Sequence, residues 1–218
     1  LIRRGRAEPG GFSLTEFGQS ATILIGGDCL DKGPSDLDML DALGTLMAKG
    51  PDLRILAGNH DLRLRLAVAA LHETPTALTE HLLVRMGRKI IPLLREVHDR
   101  YVCDADLAAL PDEASCRARL HPGRDWAERF SVAAARHLNG AAVASEVEKL
   151  AKKAAQFDAE VARAGLTSRM VLAAALKCRE VFFTSGGDYA WFYESMDVVC
   201  QLGSLLFVHA GIDDSMCE

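Results

Sequence analysis

The stretch Ile23-Leu24-Ile25-Gly26-Gly27-Asp28-Cys29-Leu30-Asp31-Lys32-Gly33-Pro34 decides how the chain is read. A run of β-branched and aliphatic residues stops at a glycine pair, and acidic side chains follow at once. The pattern predicts a buried strand over 21–25 that delivers Asp28 and Asp31 to the carboxyl edge of a sheet. That edge is where open α/β sheets hold their sites. The same pattern recurs as Ile55-Leu56-Ala57-Gly58-Asn59-His60-Asp61, and a third copy, Leu205-Leu206-Phe207-Val208-His209, ends in histidine. Three strand ends bearing Asp28 with Asp31, Asn59 with His60 and Asp61, and His209 point to one site for a hard or borderline metal ion.

Outward from the first stretch, Ser35 is a good N-cap for a helix to about Lys49, with Leu37, Leu40, Leu43, Leu46 and Met47 on one face. Gly50-Pro51 stops it and 53–57 is the next strand, which makes a β-loop-α-β unit with a right-handed parallel crossover as the default. Upstream, Leu1–Gly5 reads as the end of a helix and 6–20 as a loop. Downstream, 62–72 continues as helix, and helical segments follow at 76–100, 124–138, 141–164 and 167–179. Residues 180–184 are a candidate further strand. Within 141–164, Val143, Val147, Leu150, Ala154, Phe157 and Val161 recur at 4-3-4-3-4 spacing. Over about three heptads this reads as a helix packed inside a cap rather than a dimerising coiled coil.

With so few strands the sheet keeps raw edges and one uncovered face. The 218 residues begin at a leucine and stop soon after His209, so they read as part of a longer protein. At 49% apolar and 25% charged, with net charge −5, the chain has a soluble globular composition and no basic stripe for a nucleic-acid polymer. There is no membrane-length apolar run and no signal-peptide pattern. The six cysteines (29, 103, 116, 178, 200 and 217) show no CxxC pair, which suggests reduced thiols and a cytoplasmic home.

The three strand ends can be assigned chemical roles. Asp28 is a carboxylate able to bridge two cations, Asn59 a neutral amide oxygen, and His209 an imidazole donor. Two cations about 3.5–4 Å apart clamp a phosphoryl oxygen and generate hydroxide near neutral pH. His60, beside Asn59, is placed to protonate a leaving oxygen, with Asp31 orienting its ring. Lys32 and Arg63 are candidate phosphate contacts.

Gly27-Asp28-x-x-Asp31-x-Gly33, Gly58-Asn59-His60-Asp61 and Val208-His209-Ala210-Gly211-Ile212 resemble three motifs of the calcineurin-like metallophosphatases. The nearest branch is the one shared by phosphoprotein phosphatases and symmetrical diadenosine tetraphosphate hydrolases. The resemblance covers 23–66 and 203–212 and is absent between them. It implies an αββα sandwich, incomplete in this chain, with Asp28 bridging two divalent metals (manganese, with iron or zinc as alternatives). It further implies Asn59 and His209 as ligands of one metal, His60 as general acid and Asp31 as its partner. Lys32 stands where the family usually has arginine, and supplies a point charge without the bidentate fork. The family's opening Asp-x-His motif should lie before Leu1, and its later histidine ligands beyond Glu218.

The chain therefore divides, on this reading, into a catalytic core at 1–71, a helical cap inserted at 72–200, and a return strand at 201–218. The cap restricts access and favours small or specially shaped substrates. In Ser185-Gly186-Gly187-Asp188-Tyr189-Ala190-Trp191-Phe192-Tyr193, the residues Asp188, Tyr189, Trp191 and Tyr193 are candidates to line a pocket that stacks a base or aryl group. The alternative is that Trp191 and Phe192 anchor the cap. Three functional classes follow: a two-metal phosphomonoesterase acting on a small phosphate ester or phosphoprotein, a dinucleoside polyphosphate hydrolase, and a non-catalytic phosphate-binding relative.

Overall fold

The computed structural model describes residues 2–4, 11–31, 33 and 35–211. The protein is a mixed α/β chain, predominantly helical, with a small parallel sheet. Ile2–Arg4 (β1) pairs antiparallel with Phe12–Leu14 (β2), so the described part of the expected helix end is instead a strand, Leu1 and Gly5 lying outside the described residues. The expected loop at 6–20 contains β2 and a short helix, Glu16–Ser20 (α1), capped by Thr15 Oγ1 accepting from the Gly18 N–H at 3.1 Å. Thr22–Ile25 (β3) then leads to Asp36–Ala48 (α2), capped by Ser35 and burying Leu37, Leu40 and Leu43, and on to Asp52–Leu56 (β4). β3 and β4 are parallel, with Thr22 opposite Asp52 and Ile25 opposite Ile55. Asn59–Leu71 (α3) starts three residues earlier than the apolar pattern indicates, so the Asn-His-Asp motif forms its first turn.

The helices that follow are Leu82–Arg85 (α4), Ile91–Tyr101 (α5), Asp104–Ala108 (α6), Glu113–Leu120 (α7), Trp126–Ala134 (α8), Gly140–Arg163 (α9) and Ser168–Cys178 (α10). The expected helix at 76–100 is broken by a 3₁₀ turn at Gly87–Ile90 between α4 and α5. A π-turn, Arg179–Phe183, replaces the candidate strand at 180–184. Ala190–Glu194 (α11), Met196–Asp197 (β5), Val199–Leu202 (β6) and Leu205–Val208 (β7) complete the described chain. β5 adds to the parallel sheet in the order β3-β4-β5, with Ile55 opposite Met196. β7 pairs antiparallel with β6 in a separate hairpin turned by Gly203 at φ 61°.

Two compact units result. The described residues of Leu1–Leu62 and Asp188–Glu218 form one, and Arg63–Gly187 the other. Residues 188–200, read from the sequence with the cap, thus pack within the first unit. In the helical unit, Val171 to Ala175 of α10 are all buried, because this helix is enclosed by its neighbours rather than presenting one stripe. Glu113 of α7 caps it by accepting from the Ser168 and Arg169 N–H groups. The α9 seam buries Val143, Leu150 and Phe157, and Arg85 of α4 holds Glu146 through two hydrogen bonds. No helix among the described residues is long and apolar enough to cross a membrane.

His81 is buried against Trp126 and Phe130, with ring centroids 4.8 and 5.2 Å away. Burial lowers its pKa from 6.5, and burial also lowers those of His72 and His121. Each of these rings binds a proton more readily unfolded than folded. Their contribution is therefore intact above pH 6.5 and lost as the pH falls toward the folded values. The urea midpoint of the helical unit should drop between pH 7 and pH 5, followed by Trp126 fluorescence in a Trp191→Phe background. His81→Leu should flatten that slope; an unchanged slope would show that His81 carries none of it.

Candidate active site

The site starts with two close-packed glycines. Gly27, at φ 86°, turns the chain after β3, and Gly58 caps α3 after β4. A Cβ on Gly58 would stand 2.0 Å from the Asp28 nitrogen, and one on Gly27 would meet the Gly58 nitrogen and His209 Nδ1, each at 2.8 Å. Neither position accommodates a side chain, and the contact of their backbones fixes one motif against the other. Asp28 and Asp31 both adopt left-handed backbone, φ 55° and 59°, which L-residues other than Asn and Asp rarely tolerate. Such local strain is concentrated at functional positions.

Asp61 ties the two turns together. Fully buried, it accepts from the Asp28 N–H at 2.8 Å and the Gly58 N–H at 3.1 Å through Oδ2, and from the Leu30 N–H at 3.1 Å through Oδ1. Burial pushes its carboxyl upward while the three N–H groups pull it back. Its bond to Gly58 is the N3-to-N-cap half of a capping box. The Tyr193 hydroxyl donates to the Asp61 carbonyl at 2.8 Å, so α11 braces the same turn. From the sequence, Asp61 stands only among the ligand-type residues. Its position three residues past Gly58 was the available signal for a structural role.

Around this frame the expected residues fall as follows. Asp28 Oδ1 accepts from the His60 backbone N–H at 3.0 Å, a donor made available because His60 lies in the first turn of α3. His60 Nδ1 lies 2.7 and 2.8 Å from the two oxygens of Asp31, with the aligned hydrogen bond to Oδ2. The Asp31 side chain is 2% exposed, and Asp36 holds the residue's backbone N–H at 2.7 Å. A carboxylate can only accept, so Nδ1 of His60 carries the proton and Nε2 is the exchanging atom. His209 follows β7, and its Nδ1 donates to the Gly26 carbonyl at 2.6 Å, which leaves Nε2 facing Asp28 Oδ1 at 3.3 Å.

Asn59 opens α3 and is exposed, next to His60. Arg63, exposed on the same helix, falls in the helical unit, and Lys32 lies outside the described residues. Asp188 is exposed, whereas Tyr189 is buried with its hydroxyl donating to Asp41 Oδ1 at 2.6 Å. Trp191 lies against Gly44 of α2. Both aromatic rings are engaged with α2. Cys29, inside the first motif, has its thiol pushed up to about 12 by burial and by the charges of Asp61 and Asp28.

No protein-family model, curated protein or solved structure matches this chain. No group of three or more His, Cys, Asp or Glu side chains suited to a metal occurs among the described residues. The Asp28–His209 pair is nevertheless a fitting half-site. With Nδ1 committed to a carbonyl, Nε2 of neutral His209 is an acceptor directed at a second acceptor, and a proton or cation between them resolves the repulsion. Two donors each about 2.1 Å from one ion stand roughly 3–3.5 Å apart, which the 3.3 Å separation matches.

Proposed function

We propose that this chain is a metal-dependent phosphoesterase of the calcineurin-like type, built on an αββα sandwich and hydrolysing phosphate monoesters. The observation that carries the reading is the opposition of Asp28 Oδ1 and His209 Nε2 across 3.3 Å, beside a part-buried Asp31–His60 pair. Asp28, His209 and Asn59 would hold divalent metal, manganese in the first instance with iron or zinc as alternatives. A bound cation there supplies charge for a phosphoryl oxygen and a hydroxide near neutral pH. The chain's own residues do the rest. His60 protonates the leaving oxygen from Nε2, and Asp31 holds the opposite ring nitrogen and supports the charge. Asp28 fixes the His60 backbone, and Lys32, next to Asp31 in the sequence, is the proposed phosphate contact.

The test combines bound manganese with a substrate panel: an aryl phosphate, mononucleotides, a phosphopeptide, a folded phosphoprotein and diadenosine tetraphosphate. Small monoesters should turn over faster than the folded phosphoprotein, and Asp28→Ala or His209→Ala should lower manganese affinity. Selective cleavage of the dinucleotide would reassign the site to polyphosphate hydrolysis. Bound metal without turnover of any substrate would make the chain a phosphate-binding relative.

A further inference from the structure

A second site lies wholly within the helical unit. The α3 residues Arg65, Val68 and Ala69 share one face, continued by His72 just past the helix end, and with Arg179 and Phe183 of the π-turn they line an open cavity of about 210 Å³. That is below the roughly 300–1,000 Å³ of drug-sized sites and suits a fragment-sized ligand. Single π-turns within helical runs recur at functional sites. This one is fitted closely to its surroundings: a Cβ on Gly187 would stand 2.2 Å from the Glu180 carbonyl oxygen and 2.6 Å from that of Val181. The Gly186-Gly187 turn therefore closes tightly over the π-turn.

The wall of the cavity is cationic. Four arginines elsewhere in the helical unit are matched with carboxylates, Arg85 with Glu146, Arg117 with Asp158, Arg129 with Asp125 and Arg163 with Glu160, while Arg119 and Arg169 donate to backbone carbonyls. Arg65 and Arg179 have no such partner among the described residues. Their two guanidiniums outnumber the one carboxylate in the wall, Glu73. Arg119 of α7 also bears on His72, whose pKa is lowered by burial first and then by Arg179. Glu180 opposes this, although its carboxylate is taken by Lys177 at 2.9 Å. Two unpaired guanidiniums beside Val68 and Phe183 suit a ligand that is anionic at one end and apolar at the other.

We propose that the cavity between α3 and the π-turn binds a small organic oxyanion, a phosphate or carboxylate carried on a compact apolar group. This is independent of the phosphoesterase reading, so its test uses binding alone. The full chain, with metal chelated, is titrated with non-hydrolysable phenylphosphonate, benzoate, inorganic phosphate and benzyl alcohol, following the His72 ring proton by NMR. Phenylphosphonate or benzoate should saturate the His72 shift below about 10 mM, and the tighter of the two identifies the oxyanion. Inorganic phosphate should bind at least tenfold more weakly, for lack of an apolar body. Arg65→Ala and Arg179→Ala, both at exposed positions, should each weaken binding by about 10- to 100-fold with an unchanged melting temperature. Arg124→Ala, an exposed arginine outside the cavity, should bind as the parent does. Benzyl alcohol binding as tightly as the anions, inorganic phosphate binding as tightly as phenylphosphonate, unchanged affinity in both arginine variants, or no saturation would each overturn the proposal.

Discussion

Asp61→Ala should destabilise the unit formed by 1–62 and 188–211 by several kcal/mol, although the residue touches no substrate in the proposed reaction. The substitution leaves the N–H groups of Asp28, Leu30 and Gly58 without their acceptor. Each buried donor left unsatisfied costs about 1–3 kcal/mol, a large share of the roughly 5–15 kcal/mol that holds a typical domain folded. Amide hydrogen exchange gives the specific readout. The three amides should be protected in the parent and exchange much faster in the variant, beyond any change in the helical unit. Asp61→Asn keeps one acceptor oxygen but turns an NH₂ toward donors, and should fall between the two. A loss of less than about 1 kcal/mol in Asp61→Ala would mean that the turns are held by their glycine contact alone.

His60→Ala should have the opposite profile: little change in stability or bound metal, and a fall in turnover of about 10²- to 10⁴-fold on a monoester with a poor leaving group. In the proposed reaction the 2.7–2.8 Å contact of Nδ1 with Asp31 holds the His60 ring as the proton donor. A general acid matters least when the leaving group is already acidic, so the deficit should shrink on an aryl phosphate. Asp31→Asn should lose less, since the ring is retained while its charged support is removed. Equal turnover in parent and His60→Ala on every ester, with metal occupancy matched, would place the proton donor elsewhere.

Local physics determined which features were legible beforehand. β3, α2 and β4 follow from an aliphatic run, a Ser35 cap and a Gly50-Pro51 stop, all contained within a few residues of each other. The Asp28, His60 and His209 positions were legible because glycines mark the strand ends. β5 was not, since two residues carry no periodicity and Met196 and Asp197 are strand only because β4 offers them an edge. Val181, Phe182 and Phe183 have strand-like side chains, yet they continue from α10 as helix, with Phe182 fully buried. Short apolar runs are ambiguous in this way, and tertiary burial decides them. The hairpin partner of β7 was also hidden, because pairing between β6 and β7 depends on the Gly203 turn rather than on either strand's composition.

The order of the sheet has a kinetic consequence. β4 is flanked on one side by β3, nearby in the chain, and on the other by β5, which follows the whole of Arg63–Gly187. β5 has no strand edge to join until that intervening segment brings its ends together. Closing so long a loop from a disordered chain carries an entropic cost that rises only logarithmically with length, but the search it entails slows folding considerably. A helical unit rich in local contacts shortens that search if it forms first, as such topologies tend to do. The helices at 63–187 then act as a splint that brings Met196 to Ile55. The brace from Tyr193 to the Asp61 carbonyl spans the same interval of chain and needs the same closure.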